Sequence, residues 1–174
     1  NFAQGAMVLF AALTFVSLVE RGVPFALALL ITLLIMGLLG LAIERTVLRP
    51  LANRSPMTLF MATLGLAWVI EGGAQLIWGT QVHALDLGIS NAPFEIGGIY
   101  ISNFDLVAAA IALALVVALT SFFRFTRTGL SFRAVADDTF AAIAVGLKLN
   151  RIQAAVWTAA GVVALVAGLL WGAR

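Results

Sequence analysis

The chain has no cysteine and a single histidine, His83. Without thiols there is no disulfide, thiolate metal site or cysteine nucleophile, and one imidazole is too few for a histidine-built metal centre. Charge is scarce too. Asp, Glu, Lys and Arg make up 10% of the 174 residues, against about 25% in soluble domains. Hydrophobic residues make up 63%, and the mean hydropathy is +1.10. So little charge cannot solvate a surface in water, so the chain reads as an integral membrane protein whose first partner is the lipid bilayer. The pI near 9.9 accompanies a net charge of only +2. It reflects Lys and Arg flanking helices rather than a nucleic-acid surface.

Other absences exclude enzyme classes. No Walker-type phosphate loop, no His-Glu-x-x-His and no Ser/Lys pattern occurs, and no histidine lies in an apolar span. The chain is therefore not expected to hydrolyse ATP, hold a metal or cofactor, or act as an intramembrane hydrolase. Residue 1 is Asn and the first apolar run begins almost at once, without a basic leader or cleavage signature. Both ends read as cuts in a longer protein.

What is present is a series of apolar runs. A spanning helix needs about 20 apolar residues, and five segments qualify: Phe2–Val19, Pro24–Ile43, Met57–Gly79, Phe104–Phe123 and Ile152–Trp171. All four prolines lie at or outside their ends, where a missing N–H costs little. The fold class expected is all-α, a polytopic transmembrane bundle of about five helices, with 1–174 forming part of one membrane domain.

The connectors set orientation. Residues 44–56 carry Arg45, Arg49 and Arg54, and residues 124–151 carry Arg124, Arg127, Arg133, Lys148 and Arg151. Residues 80–103 carry no Lys or Arg. By the positive-inside rule the first two connectors are cytoplasmic and the third extracytoplasmic. The 44–56 connector either lies along the inner interface or is a plain charged link. Within the outer loop, Phe94–Ser102 has two β-prone runs around Gly97-Gly98, a hairpin signal. Such a hairpin would cap the bundle.

The 124–151 connector holds five of the ten basic residues. Ser131 is placed to cap a turn through Ala136, and Asp138 to cap a helix over Thr139–Val145. Gly146 is placed to end that helix, and Asn150 to cap the last span. Phe132, Val135, Phe140, Ile143 and Leu147 recur at roughly helical spacing. This apolar side either docks a soluble partner or rests on its own bundle. In the last span Gly161, Ala164, Gly168 and Gly172 share one face, an interface stripe either within the chain or against a partner.

Phe140-Ala141-Ala142-Ile143-Ala144-Val145-Gly146 resembles the Glu-Ala-Ala-x-x-x-Gly motif of ATP-binding cassette importer permeases, with Phe140 where the motif has Glu. The run from Arg127 to Arg151 is similar to that of the branched-chain amino acid permeases of the LivH/LivM type. Asn1-Phe2-Ala3-Gln4-Gly5 resembles the Asn-Phe-Ala-His-Gly segment of the LivH-like subunit, with Gln4 for His. Residues 44–51, Ala62–Leu66 and the Gly-Gly hairpin look like that subunit as well. The resemblance implies an inward amino acid permease in a bacterial inner membrane. It also implies a second permease subunit, cytoplasmic ATP-binding subunits and a solute-binding protein outside. The ATPase-coupling residues would be Asp137, Asp138, Phe140, Ala141, Ala142 and Gly146, with Phe140 as an apolar anchor.

Candidate pathway residues lie in the spans. Glu71 is a carboxylate within an apolar run, where insertion costs about 2.5–3.5 kcal/mol, and Gln75 lies one turn along the same face. Glu71 either meets a substrate ammonium or reaches water or a neighbouring helix near the outer end of its span. Thr63 and Gly65 serve packing or substrate contact, and Gln4 lies near the start of the first span. Two other readings stand beside amino acid transport. One is a permease for urea, short amides or sugars; the other is a non-transporting scaffold with dry, apolar span interiors.

Overall fold

The computed structural model describes residues 1–51, 54–81, 83, 85, 93–96 and 99–173. In chain order the helices α1 (Gln4–Glu20), α2 (Phe25–Ile43) and α3 (Pro56–Trp78) come first. Two strands follow, β1 (Pro93–Ile96) and β2 (Ile99–Ser102). The remaining helices are α4 (Asn103–Phe125), α5 (Arg127–Asp137), α6 (Thr139–Ala144) and α7 (Leu149–Gly172). The chain divides into two compact units, one of residues 1–85 with 153–173 and one of residues 86–152.

Among the described residues, four helical stretches are long and apolar enough to cross a membrane, not the five expected. The exception is α1, whose 17 residues give about 25 Å at 1.5 Å per residue. It ends where the Gly22 N–H bonds to the Val19 carbonyl (2.9 Å) and the Val23 N–H to that of Leu18 (3.0 Å). At α2 the difference runs the other way. Beyond Ile43 the helix widens into a π-type turn over Glu44–Leu48, then tightens over Arg49–Leu51. The Thr46 hydroxyl takes the Ala42 carbonyl at 2.7 Å, a side-chain competitor of the kind that disturbs a helix ladder. The 44–56 connector is thus helical as far as Leu51, a continuation of α2 rather than a separate element. Ser55 starts α3: its hydroxyl accepts from the Thr58 N–H (3.3 Å), with Pro56 at the first helical position.

In the first unit, α1 packs against α2 and α3 around Ala3, Ala6, Met7, Ala11, Met36 and Ile70. The stripe on α7 belongs to this core. A methyl group on Gly161 would run into the Met36 carbonyl of α2, and one on Gly168 into the Val8 carbonyl of α1. In return, Gly40 of α2 lies against the Trp157 carbonyl of α7. Ala164 between them is fully buried. The small residues of α7 therefore serve packing within the chain, bringing backbone against backbone as close as helices allow. Gly65, Gly72 and Gly73 of α3 have open space beside them.

In the second unit, β1 and β2 pair antiparallel with Pro93 opposite Ser102 and Ile96 opposite Ile99. The turn residues Gly97 and Gly98 lie outside the described residues. The Ser102 hydroxyl then accepts from the Phe104 N–H (3.2 Å) at the start of α4, whose one buried residue is Phe104. Two capping expectations need correction. Thr126, not Ser131, caps α5, accepting from the Gly129 N–H at 3.0 Å. Ser131 sits a turn inside the helix and bonds back to the Arg127 carbonyl at 3.0 Å. Likewise α7 begins at Leu149, which puts Asn150 in its first turn rather than ahead of it.

A methyl group is the smallest probe of this packing. Gly161→Ala and Gly40→Ala should each cost about 1–3 kcal/mol through overpacking, read as a lower midpoint in thermal unfolding of the detergent-solubilised protein. Gly72→Ala, with nothing near it, should be neutral or stabilise by up to about 1 kcal/mol.

Candidate functional site

The residues singled out in the sequence fall into separate places. In the second unit α6 is a short helix with defined ends. The Asp138 carboxylate caps it, accepting from the Ala141 N–H at 2.9 Å. At its other end Gly146 has φ +88°, a conformation that side chains resist. There the Gly146 N–H bonds to the Ile143 carbonyl (2.9 Å) and the Leu147 N–H to that of Ala142 (3.1 Å), a closure of the Schellman type. Ala142 is buried, whereas Asp137, Asp138 and Ala141 are exposed.

The apolar residues of this segment split into two sets. Phe132, Val135 and Leu147 are half-buried, and the Phe132 ring packs 5.0 Å from that of Phe123. Phe140 and Val145 instead stand free, 87% and 78% exposed, with Ile143 half exposed. One stripe was expected; the structure has an anchoring set and a presented set.

Among the candidates in the first unit, Gln4 is held at both the nitrogen and the oxygen of its amide. Its amide donates to the Ala160 carbonyl of α7 at 3.2 Å and accepts from Asn1 at 3.1 Å, tying α1 to α7. Thr63 is buried and donates to the Phe60 carbonyl at 3.0 Å. Gly65 is exposed, with nothing pressing on it. Glu71 is half-buried and Gln75 exposed. Among the described residues neither forms a side-chain hydrogen bond or ion pair.

A cavity of about 390 Å³ takes in Thr63 but none of Gln4, Gly65, Glu71 and Gln75. Its walls include Asn1, Phe2 and Phe60, together with Gln153 and Trp157 from α7. The Phe2 and Phe60 rings meet edge to face at 4.6 Å. A second cavity, of about 520 Å³, has almost wholly apolar walls from α1 and the end of α7, with His83 at its edge.

Three polar groups stand out that the sequence reading passed over. Glu44, at the start of the wide turn, is 3% exposed, and its Oε1 has no partner among the described residues. The Gln153 Oε1 is likewise buried and unpartnered. An acid closing an uninterrupted apolar run was the available signal for Glu44. For Gln153 there was none, since one amide among apolar residues has no register of its own. The third is His83, whose Nδ1 lies 3.1 Å from the carboxylate of Glu20, the last residue of α1. That hydrogen bond raises the imidazole pKa above the ordinary 6.5, and the Glu20 charge and the Trp78 backbone add to it against the opposing effect of burial.

A raised histidine value fixes the sign of its pH dependence. The His83–Glu20 tie stabilises the folded chain fully below pH 6.5 and fades as pH rises through the raised value. Glu20→Gln should move the His83 titration, followed by NMR of the imidazole, to lower pH. The difference in unfolding midpoint between Glu20→Gln and the parent should be largest below pH 6.5 and close as pH rises through the raised His83 value. An unchanged His83 titration would contradict the pairing.

Comparison with known proteins bears on these features. The whole stretch 1–174 matches the family described as branched-chain amino acid transport system / permease component. One relative is the high-affinity branched-chain amino acid transport system permease protein LivH of Salmonella typhimurium, 25% identical over 186 residues. The match takes in 99% of this chain and 60% of that protein. LivH of Escherichia coli K12 is 27% identical over 138 residues, 76% of this chain and 44% of its own length. The fructose import permease protein FruG of Bifidobacterium longum is 31% identical over 182 residues, 100% of this chain and 52% of that protein. The chain spans 60% or less of the length of these relatives. No solved structure matches.

Proposed function

We propose a transport role, because this chain belongs to the branched-chain amino acid transport system / permease component family, which it matches from residue 1 to residue 174. It is a membrane-spanning permease segment, and residues 1–174 form part of one permease domain of an ATP-binding cassette importer. Its loops 44–56 and 124–151 face the cytoplasm, and the β1–β2 hairpin within 80–103 lies outside. It works beside a second permease subunit, receives solute from a binding protein outside, and is driven by cytoplasmic ATP-binding subunits. The chain itself carries out no catalysis.

One observation carries this reading: Phe140 and Val145 project from a short helix whose two ends are locked. An aromatic held rigid and bare at a membrane face gains most by entering a protein cleft. Asp137 to Gly146 is therefore the element gripped by the ATP-binding subunit, with Phe140 as its anchor. The solute is a branched-chain or related amino acid, as in the names of the LivH relatives. Glu71 and Gln75 favour a polar solute, because a carboxylate and an amide on a spanning helix, without partners among the described residues, need a wet or polar neighbour. The FruG match supports a sugar permease as the second reading.

Replacing Phe140 with Asp, and separately Gly146 with Glu, in the full-length protein tests the coupling assignment. Each should weaken co-purification of the ATP-binding subunit by about 2 kcal/mol or more, the loss typical of an interface hot spot, and reduce uptake in step. If the ATPase remains bound and uptake is unchanged, α6 is not the coupling element. Competition among leucine, fructose and urea for uptake by the reconstituted complex decides the solute. Fructose or urea prevailing would overturn the amino acid assignment and leave the permease assignment in place.

A further inference from the structure

The junction of α4 and α5 carries features that the role of α6 does not account for. One hydroxyl holds both sides of it. Thr126 Oγ1 donates to the Phe122 carbonyl at 2.6 Å, ending α4, and accepts from the Gly129 N–H at 3.0 Å, starting α5. Gly129 brings α5 onto the Phe122 and Phe123 backbone, where a methyl group would not fit. Arg133 then reaches back, its Nη2 donating to the Arg124 carbonyl at 3.4 Å. That contact draws the Arg133 guanidinium to the last turn of α4, at the end of α5 opposite Asp137 and Asp138. Arg124, Arg127 and Arg133 are all exposed, and among the described residues none of them forms an ion pair. Beside them Phe125 and Leu130 are 80% and 60% exposed, with Leu130 three residues from both Arg127 and Arg133 on one face of α5.

Depth identifies what this face meets. The 23 residues of α4 give about 34 Å at 1.5 Å per residue, a little more than the roughly 30 Å of hydrocarbon in a bilayer. Its last turn therefore lies where hydrocarbon gives way to headgroups. Resting on the reading of α4 as a spanning helix whose Phe125 end is cytoplasmic, we infer that the elbow binds the headgroup of an anionic phospholipid of the inner leaflet. Guanidiniums pair with phosphate oxygens in two-point contacts, and Arg133 keeps most of its donors after serving the Arg124 carbonyl. Phe125 and Leu130 enter the acyl boundary beside the phosphate, as the apolar residues of interfacial helices do. Because Asp138 both ends α5 and caps α6, a lipid that fixes the elbow also fixes where α6 is presented.

The test takes the full-length permease from vesicles of equal parts phosphatidylcholine and phosphatidylglycerol, purifies it in neutral detergent, and measures the ratio of the two lipids retained. The parent should hold phosphatidylglycerol in excess. Arg124→Gln and Arg127→Gln should each lower that excess severalfold, while Lys148→Gln, beyond α6, should leave it unchanged. Neither arginine side chain makes a contact that holds the elbow together, so the unfolding midpoint in lipid-free detergent should match the parent. Arg124→Lys should keep part of the excess, since it retains the charge and loses the two-point pairing. An unchanged lipid ratio in both glutamine variants overturns the inference; if the ATP-binding subunit is lost at the same time, the face is a protein contact instead. Displacement of the lipid by inorganic phosphate, but not by sodium chloride of equal ionic strength, also overturns it and makes the elbow a site for a free anion. Labelling of Thr128→Cys from outside the cell rather than from the cytoplasm overturns the orientation beneath the inference, a failure separate from that of the lipid ratio.

Discussion

Backbone-to-backbone contact between α7 and the first two helices is the constraint on which the first unit depends. Inside a bilayer there is no hydrophobic gain from pressing one apolar helix against another, because the lipid is equally apolar. Cohesion must come from closeness, and closeness requires the absence of side chains at the crossing points. Gly40 and Gly161 provide it between α2 and α7, and Gly168 between α1 and α7. The cavity walls follow from these crossings, since α7 brings Gln153 and Trp157 to residues 90 or more positions earlier. Gln4, bonded to the Ala160 carbonyl, holds the same pair of helices with a polar contact where the glycines hold them by proximity.

The second theme is how polar groups are treated in a medium that does not solvate them. Thr14, Thr32 and Thr63 each return their hydroxyl proton to a carbonyl three or four residues back, so none needs a partner on another helix. Glu44 and Gln153 have buried oxygens that are not satisfied in this way. Glu71 and Gln75 lie on α3 without partners among the described residues. This contrast separates polar residues that a spanning helix tolerates from those that demand something further. The distinction comes from hydrogen bonding, not from residue type.

The second unit follows a different logic. Gly129 of α5 lies against the Phe122 and Phe123 backbone of α4, and the short helices are further defined by end signals: Thr126 and Asp138 as caps, and the left-handed Gly146 as a stop. A six-residue helix does not persist in water on its own. Fixing both ends is what allows Phe140 and Val145 to be presented rather than buried.

By itself the sequence determined the helical class, the position of most spans to within a few residues, the caps of α6 and the glycine that ends it. These follow from apolar run length and local backbone chemistry, which act within a few residues of each other. Ser131 shows the limit of the local rules. Thr126, just after the last turn of α4, was the equally eligible cap, and only the packing of α5 against the end of α4 selected it. The tertiary structure alone decided that the small-residue stripe of α7 packs inside the chain. It also decided that Phe140 is presented while Phe132 is anchored, and that Gln153 and Trp157 join Thr63 around one cavity. Those outcomes depend on which helices cross and at what distance, and in a chain this uniformly apolar no periodicity encodes the choice of neighbour.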